Sequence, residues 1–331
     1  MDRPEETDAS QRAANRVYHD VFEMLPDVDN PTPLVRINRL NPSPEFTLLA
    51  KLEWMNPFGS VKDRAAWQML KQLEESSQLS EQRGIVEPTS GNTGISLAAM
   101  SSVRRYPMRA VVPNKVPLEK KLMLRMAGAE LSVINDELCP SPGMGDGSIN
   151  MAKTFARAQS DRYVMANQYE NENNVQAHME TTGPEIWRQT GGQVTHVFLS
   201  LGTCGTVTGV SRFLRQHHPG IRIVAVQPSE GHDVPGLRNV AQLDISRLFE
   251  PSLIDEILEI DFRLAYKNAV ELFRQEGLRA GPGSGLILEG ARSVIERDRE
   301  GTGVMIFCDD LFKYASSFSK HLPALLEGTT P

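Results

Sequence analysis

The sequence predicts an α/β fold with two lobes, in which parallel sheets are covered by helices. Short apolar segments typical of buried strands alternate with helical segments along most of the 331 residues. One strand-like segment runs into a glycine-rich turn that precedes a helix, and a second such turn also precedes a helix; in this arrangement ligands lie at the carboxyl ends of parallel strands. With 40% hydrophobic and 23% charged residues, a chain of this length can bury a large core, and two lobes are expected.

The elements follow from the apolar pattern and from the glycines and prolines between segments. We predict strands at 48–52, 109–112, 132–134, 197–201, 222–226 and 304–308, and helices at 65–75, 95–100, 119–126, 208–216, 264–276 and 286–297. Residues 137–148 are rich in proline and glycine and predict a loop. The expected division is an N-terminal arm at 1–30, a large domain at 31–53 and 160–320, a smaller mobile domain at 54–159, and a tail at 321–331.

Composition excludes several classes of protein. The net charge of −7 argues against nucleic-acid binding. No apolar run approaches the roughly 20 residues of a membrane span, and residues 1–6 lack the apolar core of a signal peptide, so we predict a cytoplasmic protein with no membrane partner. Cys139, Cys204 and Cys308 have no CxxC spacing, so we predict neither a disulfide framework nor a metal site.

Residues 56–64, Asn-Pro-Phe-Gly-Ser-Val-Lys-Asp-Arg, place Lys62 in the first turn of a helix. The positive end of the helix dipole disfavours an ammonium group there, which makes Lys62 a candidate Schiff-base nucleophile. Ser60 and Asp63 also form a capping pair. A solvated lysine beside a structural turn is therefore the alternative that this segment leaves open.

Two downstream segments have the form of anion-binding turns. Residues 87–94, Glu-Pro-Thr-Ser-Gly-Asn-Thr-Gly, suit a carboxylate and precede a buried helix that Thr89 or Ser90 would cap. The strand at 195–201 leads into Gly-Thr-Cys-Gly-Thr at 202–206 and a helix from near Val207. This turn lacks the Gly-Lys-Ser/Thr ending of a nucleotide P-loop, so it favours a single phosphate ester. For each turn alone, a purely structural role is the alternative.

Together the three segments closely resemble the signatures of the cysteine synthase family, enzymes that depend on pyridoxal 5'-phosphate (PLP) and have the tryptophan-synthase-like fold, also called fold type II. The resemblance covers about residues 30–318 and includes Pro-Thr-Pro-Leu-Val at 31–35, Met-Ala-Gly-Ala-Glu at 126–130 and Thr-Gly-Pro-Glu-Ile at 182–186. It implies a transferase that acts on a small amino-acid substrate, forms a homodimer and carries its N-terminal arm across the partner or as a loose end.

The resemblance also implies roles for individual residues. Lys62 would hold PLP as an internal aldimine, and Asn92 would hydrogen-bond the pyridine 3-hydroxyl. The implied phosphate ligands are Gly202, Thr203, Cys204, Gly205 and Thr206, and the implied ligands of the substrate carboxylate are Thr89, Ser90, Gly91, Thr93 and Gln168. For Gln168, a polar loop residue is the alternative.

The sequence departs from the family pattern near residue 283. Where the family has a Ser or Thr facing the pyridine nitrogen, an ungapped match places Gly283, with Ser284 one residue later. We expect either Ser284 or a water molecule to reach the nitrogen. A neutral partner leaves this nitrogen largely unprotonated, which favours β-elimination over racemisation or transamination.

The implied reaction is a β-replacement that makes L-cysteine. With Lys62 as general base, an O-activated L-serine loses its β-substituent to give an aminoacrylate, to which a sulfur nucleophile adds. Residues 237–239, Leu-Arg-Asn, resemble members of the family that use O-phosphoserine and draw sulfur from a carrier protein, and there Arg238 would read the substrate phosphate. A surface arginine is the alternative, and O-acetylserine is then the activated serine.

Two other functions stay open at this point. Cystathionine synthesis and diaminopropionate-type synthesis are the enzymatic alternatives, because the acceptor pocket is built by loops. A catalytically faded relative that binds a partner or metabolite is the non-enzymatic one. Gly283 favours it, as do residues 308–314, which lack the glycine that the family more often has before its Lys-Tyr pair.

Overall fold

The computed structural model describes residues 17–136 and 146–327. Its strands are β1 (Leu34–Arg36), β2 (Phe46–Leu52), β3 (Gly84–Pro88), β4 (Met108–Pro113), β5 (Glu130–Ile134), β6 (Tyr163–Met165), β7 (His196–Ser200), β8 (Arg222–Pro228), β9 (Glu256–Ile260) and β10 (Gly301–Phe307). Its α-helices are α1 (Lys62–Glu75), α2 (Asn92–Arg104), α3 (Leu118–Met126), α4 (Gly147–Ala158), α5 (Asn173–Ala177), α6 (Gly183–Gln189), α7 (Gly205–His217), α8 (Phe262–Glu271), α9 (Pro282–Asp298) and α10 (Ala315–His321). π-Helical turns at His178–Thr182 and Leu272–Glu276 continue α5 and α8.

The strands form two sheets, one in each lobe. The larger sheet has six strands in the order β1-β2-β10-β7-β8-β9, and the smaller has four in the order β5-β4-β3-β6. Within the described residues β1 and β2 are antiparallel, and every other strand pair is parallel. Helices cover both sheets, so β3 and most of β7 are buried. Strand β7 was predicted from its near-continuous apolar residues, whereas β3 was not predicted. The predicted α/β class is confirmed.

Element boundaries differ from the prediction in a few places. Helix α7 begins earlier than predicted, at Gly205, because its first turn is made of glycine and hydroxyl residues of the motif. Helix α1 extends before the apolar segment at 65–75 and begins at Lys62, which the motif had placed in its first turn. Strand β6 pairs with β3, so the smaller sheet continues past the predicted boundary at residue 159. Helix α4 begins inside the segment predicted as a loop, because Asp146 caps it; the rest of that loop, with Cys139, lies outside the described residues.

A cluster of buried charges fixes the start of α1. Arg64 lies two residues beyond the helix start and donates to Glu53 at 2.7 and 2.8 Å and to Glu185 at 2.9 Å. Lys51 lies 2.7 Å from the second carboxylate, and Thr32 donates to the first at 2.7 Å. Burial alone would raise the pKa of Glu53, but the charge and hydrogen bonds of Arg64 lower it to about 2. The cluster therefore connects three of the recognised motifs, at 31–35, 56–64 and 182–186, next to the start of α1.

In the part of the chain that the structure describes, no helix combines the length and apolar character needed to cross a bilayer.

Candidate active site

A cavity lies between the two lobes, at the carboxyl ends of β3, β7 and β10. Most of the residues predicted for the site line it: Lys62, Thr89, Ser90, Asn92, Thr93, Gln168, Gly202, Thr203, Cys204, Thr206 and Arg238. Three others, Gly91, Gly205 and Ser284, are described but lie behind this lining. The fold thus gathers segments that are far apart in the sequence around one space.

Lys62 is the first residue of α1, so it lies in the first turn of a helix, as the sequence predicted. Its backbone N–H donates to the Ser60 hydroxyl at 3.2 Å, and the carboxylate of Asp63 accepts from the Phe58 N–H at 2.7 Å. Burial raises the pKa of Asp63 to about 6. The expected capping pair is not formed, because Val61 is the residue that precedes the helix and no side chain caps it; the Ser60 hydroxyl instead lies 3.4 Å from Oδ1 of Asp63. The Lys62 side chain lines the cavity. Among the described residues, its amine has no hydrogen-bond partner.

The turn after β3 is closed by Thr89. Its hydroxyl accepts from the N–H groups of Gly91 and Gly94 at 3.0 and 3.1 Å, so it serves the first turn of α2 although the helix itself begins at Asn92. Gly91 has φ +137°, and a Cβ there would lie 2.4 Å from Cδ of Lys120. Only glycine fits this position without displacing the lysine.

Gln168 is held against this turn from two sides. Its Oε1 accepts from the Thr93 hydroxyl at 2.5 Å, and its Nε2 donates to the Pro88 carbonyl at 2.8 Å. The carboxylate of Glu87 accepts from the backbone N–H groups of Asn167 and Gln168 at 2.7 and 3.0 Å. Burial raises the pKa of Glu87 to about 7. Sequence reasoning missed the anchoring role of Glu87, although this residue opens the motif itself.

The turn before α7 is supported from behind by polar residues that the sequence did not single out. Asn174 donates through Nδ2 to the Thr203 hydroxyl at 3.0 Å and to the Gln168 carbonyl at 2.8 Å, so it links the turn at 202–206 to Gln168. His178 lies 3.1 Å from the Thr206 hydroxyl through Nε2. Burial and the nearby charge of Arg64 lower the pKa of His178 to about 3, so the ring is neutral.

Cys204 precedes α7 in the left-handed conformation, with φ 68°. Burial raises the pKa of its thiol to about 12, and its Sγ lies 3.7 Å from the Gly202 carbonyl. A thiol that stays protonated is a packing group, which agrees with the expectation that the backbone of this residue matters more than its sulfur.

Asp309 and Lys120 form a second polar wall of the cavity that sequence reasoning missed. Asp309 accepts from Nδ2 of Asn92 at 2.6 Å and from the Tyr314 hydroxyl at 2.5 Å. The Lys120 amine lies 3.9 Å from the centre of the Tyr314 ring, and burial lowers the pKa of Lys120 to about 8. The unusual segment at 308–314 was the one sequence signal for this wall. Lys120 had none, because a single buried lysine on a helix looks like any other charged residue.

Arg238 is 6% exposed and lines the cavity, so the alternative of a surface arginine is wrong. Its Nη2 donates to Asp146 at 2.7 Å and to the Tyr169 hydroxyl at 3.2 Å. Burial alone would lower the pKa of Arg238, but Tyr169 and Asp146 raise it above the usual value. Within the described chain its Nη1 has no hydrogen-bond partner.

The segment at the start of α9 shows where the family pattern changes. Gly283 lines the cavity, and a Cβ there would meet Leu237 at 3.6 Å, an ordinary contact distance. Ser284 is 1% exposed, and its hydroxyl has no hydrogen-bond partner among the described residues. Which of the two faces a bound pyridine nitrogen stays a prediction.

Comparison with known proteins shows the class to which this fold and site belong. The family model described as "Pyridoxal-phosphate dependent enzyme" matches residues 25–309, so the chain belongs to this family of PLP-dependent enzymes. The chain is 38% identical to cysteine synthase B of Escherichia coli over 286 residues, 86% of this chain and 92% of that protein. It is 32% identical to a cysteine synthase of Aquifex aeolicus, with 91% and 93% covered. The predicted resemblance to cysteine synthases and the predicted cofactor are confirmed.

Solved structures agree in fold. A cysteine synthase (OASS) of Entamoeba histolytica has a TM-score of 0.80 at 29% identity, over 97% of this chain and 93% of that one. An O-ureido-L-serine synthase, solved as a mutant with O-ureido-L-serine bound, has a TM-score of 0.84 at 28% identity, over 94% and 98%. Both similarities extend over nearly the whole chain, so the predicted enzyme class and fold type II are confirmed.

The described residues fit PLP by their chemistry. A turn of small and hydroxyl residues at a helix N-terminus suits the phosphate group. Oδ1 of Asn92 is buried without a partner among the described residues, although its Nδ2 is held by Asp309, so an acceptor is left for a hydroxyl on the ring. These features stand beside Lys62, the amine that a cofactor aldehyde requires.

Proposed function

We propose that the chain is a cysteine synthase, which replaces the β-substituent of an O-activated L-serine with sulfur. The observation that carries this proposal is the convergence of Lys62, the turn at 89–93 and the turn at 202–206 on one cavity. A relative named cysteine synthase B, from Salmonella typhimurium, matches at 39% identity over 286 residues. The cavity thus combines an amine, a carboxylate site and a phosphate site, which this reaction needs together.

Each of these residues has a defined task in the proposed reaction. Residues 202–206 and the start of α7 bind the cofactor phosphate, while Thr89, Thr93 and Gln168 bind the substrate carboxylate and fix its orientation. The bound cofactor withdraws electrons from the substrate α-carbon, which makes the α-proton acidic and lets the β-substituent leave. The Lys62 amine holds the cofactor between turnovers and, once free, removes the α-proton as general base.

For the activated serine we propose O-phosphoserine, with O-acetylserine as the second candidate. Arg238 supports the first because it is buried, cationic, lines the cavity and has an Nη1 donor with no partner among the described residues. A guanidinium binds a phosphate dianion more strongly than a neutral acetyl ester. A sulfur-carrier protein as donor is part of the same proposal.

The experiment mixes purified PLP-loaded protein with O-phosphoserine, O-acetylserine or L-serine in separate arms. The readouts are release of phosphate or acetate, the change in the absorption spectrum of the bound cofactor, and cysteine formed after sulfide is added. We expect both esters to react and O-phosphoserine to react faster. If O-phosphoserine is inert while O-acetylserine reacts, the assignment of Arg238 is wrong. If neither ester reacts, the proposed function itself is wrong.

We further propose a cytoplasmic homodimer, by analogy with the cysteine synthase family. Within the described residues the surface carries exposed apolar side chains along α3, at Leu118, Leu122 and Met126, but these do not identify a dimer interface. Sedimentation of the purified protein tests the oligomeric state, with a mass of twice 36.8 kDa expected.

A further inference from the structure

The arginine proposed to read the substrate is paired with a carboxylate from the other lobe. Arg238 belongs to the larger lobe, where its backbone N–H donates to the Leu201 carbonyl at 2.9 Å, directly after β7. Asp146 precedes α4, which packs on the smaller sheet. Both side chains line the cavity, both are 6% exposed, and Nη2 of the arginine donates to the carboxylate at 2.7 Å.

This pairing changes what the cavity presents to a substrate. Nη1 of Arg238 has no hydrogen-bond partner in the described part of the chain, but the charge of the guanidinium is already offset by Asp146. An incoming phosphate dianion gains a hydrogen bond from the arginine and is repelled by the adjacent carboxylate, because both charges are shielded from water. A neutral acetyl ester is not repelled in this way.

We propose that Asp146 is a specificity-determining residue, whose carboxylate limits the preference for a phosphate ester and keeps an uncharged acyl ester acceptable as a substrate. This inference rests on the proposed function, because it concerns the leaving group of that reaction. It also assigns a role to a residue that no sequence motif singled out.

The local structure allows the charge to be removed with the helix cap retained. Oδ1 of Asp146 accepts from the Ile149 N–H at 3.0 Å and from the Ser148 hydroxyl at 2.5 Å, so the side chain caps α4. Asn and Ser are equally suitable capping residues and carry no charge. Asp146→Asn and Asp146→Ser therefore test the carboxylate with little effect on the helix. Asp261→Asn is the matched control, since Asp261 is exposed and caps α8 by accepting from the Arg263 N–H at 3.0 Å.

The measurement is the ratio of kcat/KM for O-phosphoserine to kcat/KM for O-acetylserine, which cancels any change in the fraction of folded enzyme. We expect the ratio to rise at least about tenfold in both Asp146 variants and to stay unchanged in the Asp261 variant. We also expect added salt to slow the phosphate ester more strongly in the Asp146 variants than in the wild type.

Two results would overturn the inference. If both esters react in the wild type and the ratio stays within twofold in both Asp146 variants, Asp146 does not set specificity, although the proposed function stands. If neither ester reacts with the wild type, the proposed function and this inference fail together.

Discussion

Gly283 is the residue at which the sequence departs from the family, and the structure shows that a side chain would fit there. A Cβ at this position would contact atoms of Leu237 at 3.6–3.9 Å and would clash with nothing. The glycine is therefore not required by packing or by a left-handed backbone. A hydroxyl added here would face the cavity that the neighbouring Ser284 does not line.

We predict that Gly283→Ser strengthens cofactor binding. One added hydrogen bond contributes about 1 kcal/mol, or roughly a fivefold lower Kd for PLP. The measurement is titration of the apoprotein with PLP, followed by absorbance, and Gly283→Ala is the control because it adds the Cβ without the hydroxyl. If the serine variant binds PLP no better than the alanine variant, no ring atom lies within hydrogen-bonding reach of residue 283.

Glu87 gives a pH dependence to stability whose sign follows from its burial. Its folded pKa of about 7 lies above the ordinary value of 4.5, so the folded protein keeps a proton that the unfolded chain has released between these pH values. The stability from this group is complete below pH 4.5 and is lost as the pH rises to about 7. This interval of about 2.5 pH units corresponds to roughly 3 kcal/mol.

We therefore predict that Glu87→Gln flattens the pH profile of stability. The advantage of the wild type over the variant in free energy of unfolding should be about 3 kcal/mol larger at about pH 4 than at about pH 8. Denaturant unfolding at several pH values measures this, and Glu81→Gln on the exposed surface is the control. Parallel pH profiles for the wild type and the Glu87 variant would show that this carboxyl titrates normally.

At the scale of elements, some residues of the recognised motifs stabilise the fold and take no part in the reaction. Arg64 follows Lys62 in the motif, yet it faces away from the cavity and binds Glu53 and Glu185. Removing it leaves two buried carboxylates without their main partner, although Lys51 still reaches Glu185. Loss of one member of a buried ion cluster is expensive because the remaining charges have no water.

We predict that Arg64→Met lowers the free energy of unfolding by about 3–5 kcal/mol. Arg297→Met is the control, since Arg297 is about half exposed and pairs with Glu256 on the surface, and there the expected loss is below about 1 kcal/mol. Denaturant unfolding of both variants compares them directly. Equal midpoints for the two variants would contradict the importance given to the buried cluster.

The elements also show what the sequence can and cannot predict. Helices α1, α2, α7 and α9 were predictable because each combines an apolar face with a strong start signal. Strands β1, β3, β6 and β9 were missed. β1 and β6 have three residues, β9 alternates between half-buried and exposed positions, and β3 ends in Glu87 and Pro88. Such strands are defined by their partners in the sheet, which local pattern does not reveal.

At the scale of the whole molecule, the site is a product of the two-lobed topology. The motif residues were identifiable one by one, because glycine-rich turns and a lysine at a helix start have a local chemical meaning. The supporting residues Asp146, Lys120 and Asp309 were not, because they approach the cavity from different elements and only the fold brings them there. The motifs were therefore enough to predict the type of reaction. They were not enough to predict which residues select the substrate.

Two amines line the cavity, the half-buried Lys62 and the buried Lys120, and this sets the central test. Burial lowers the pKa of Lys120 to about 8, so a cofactor aldehyde has two candidate partners. The most direct measurement is reduction of the PLP-loaded protein with borohydride, followed by mass spectrometry of its peptides. We predict the pyridoxyl group on Lys62 alone, and its loss in Lys62→Ala. A modified Lys120 with an unmodified Lys62, or no modified lysine, would contradict the account.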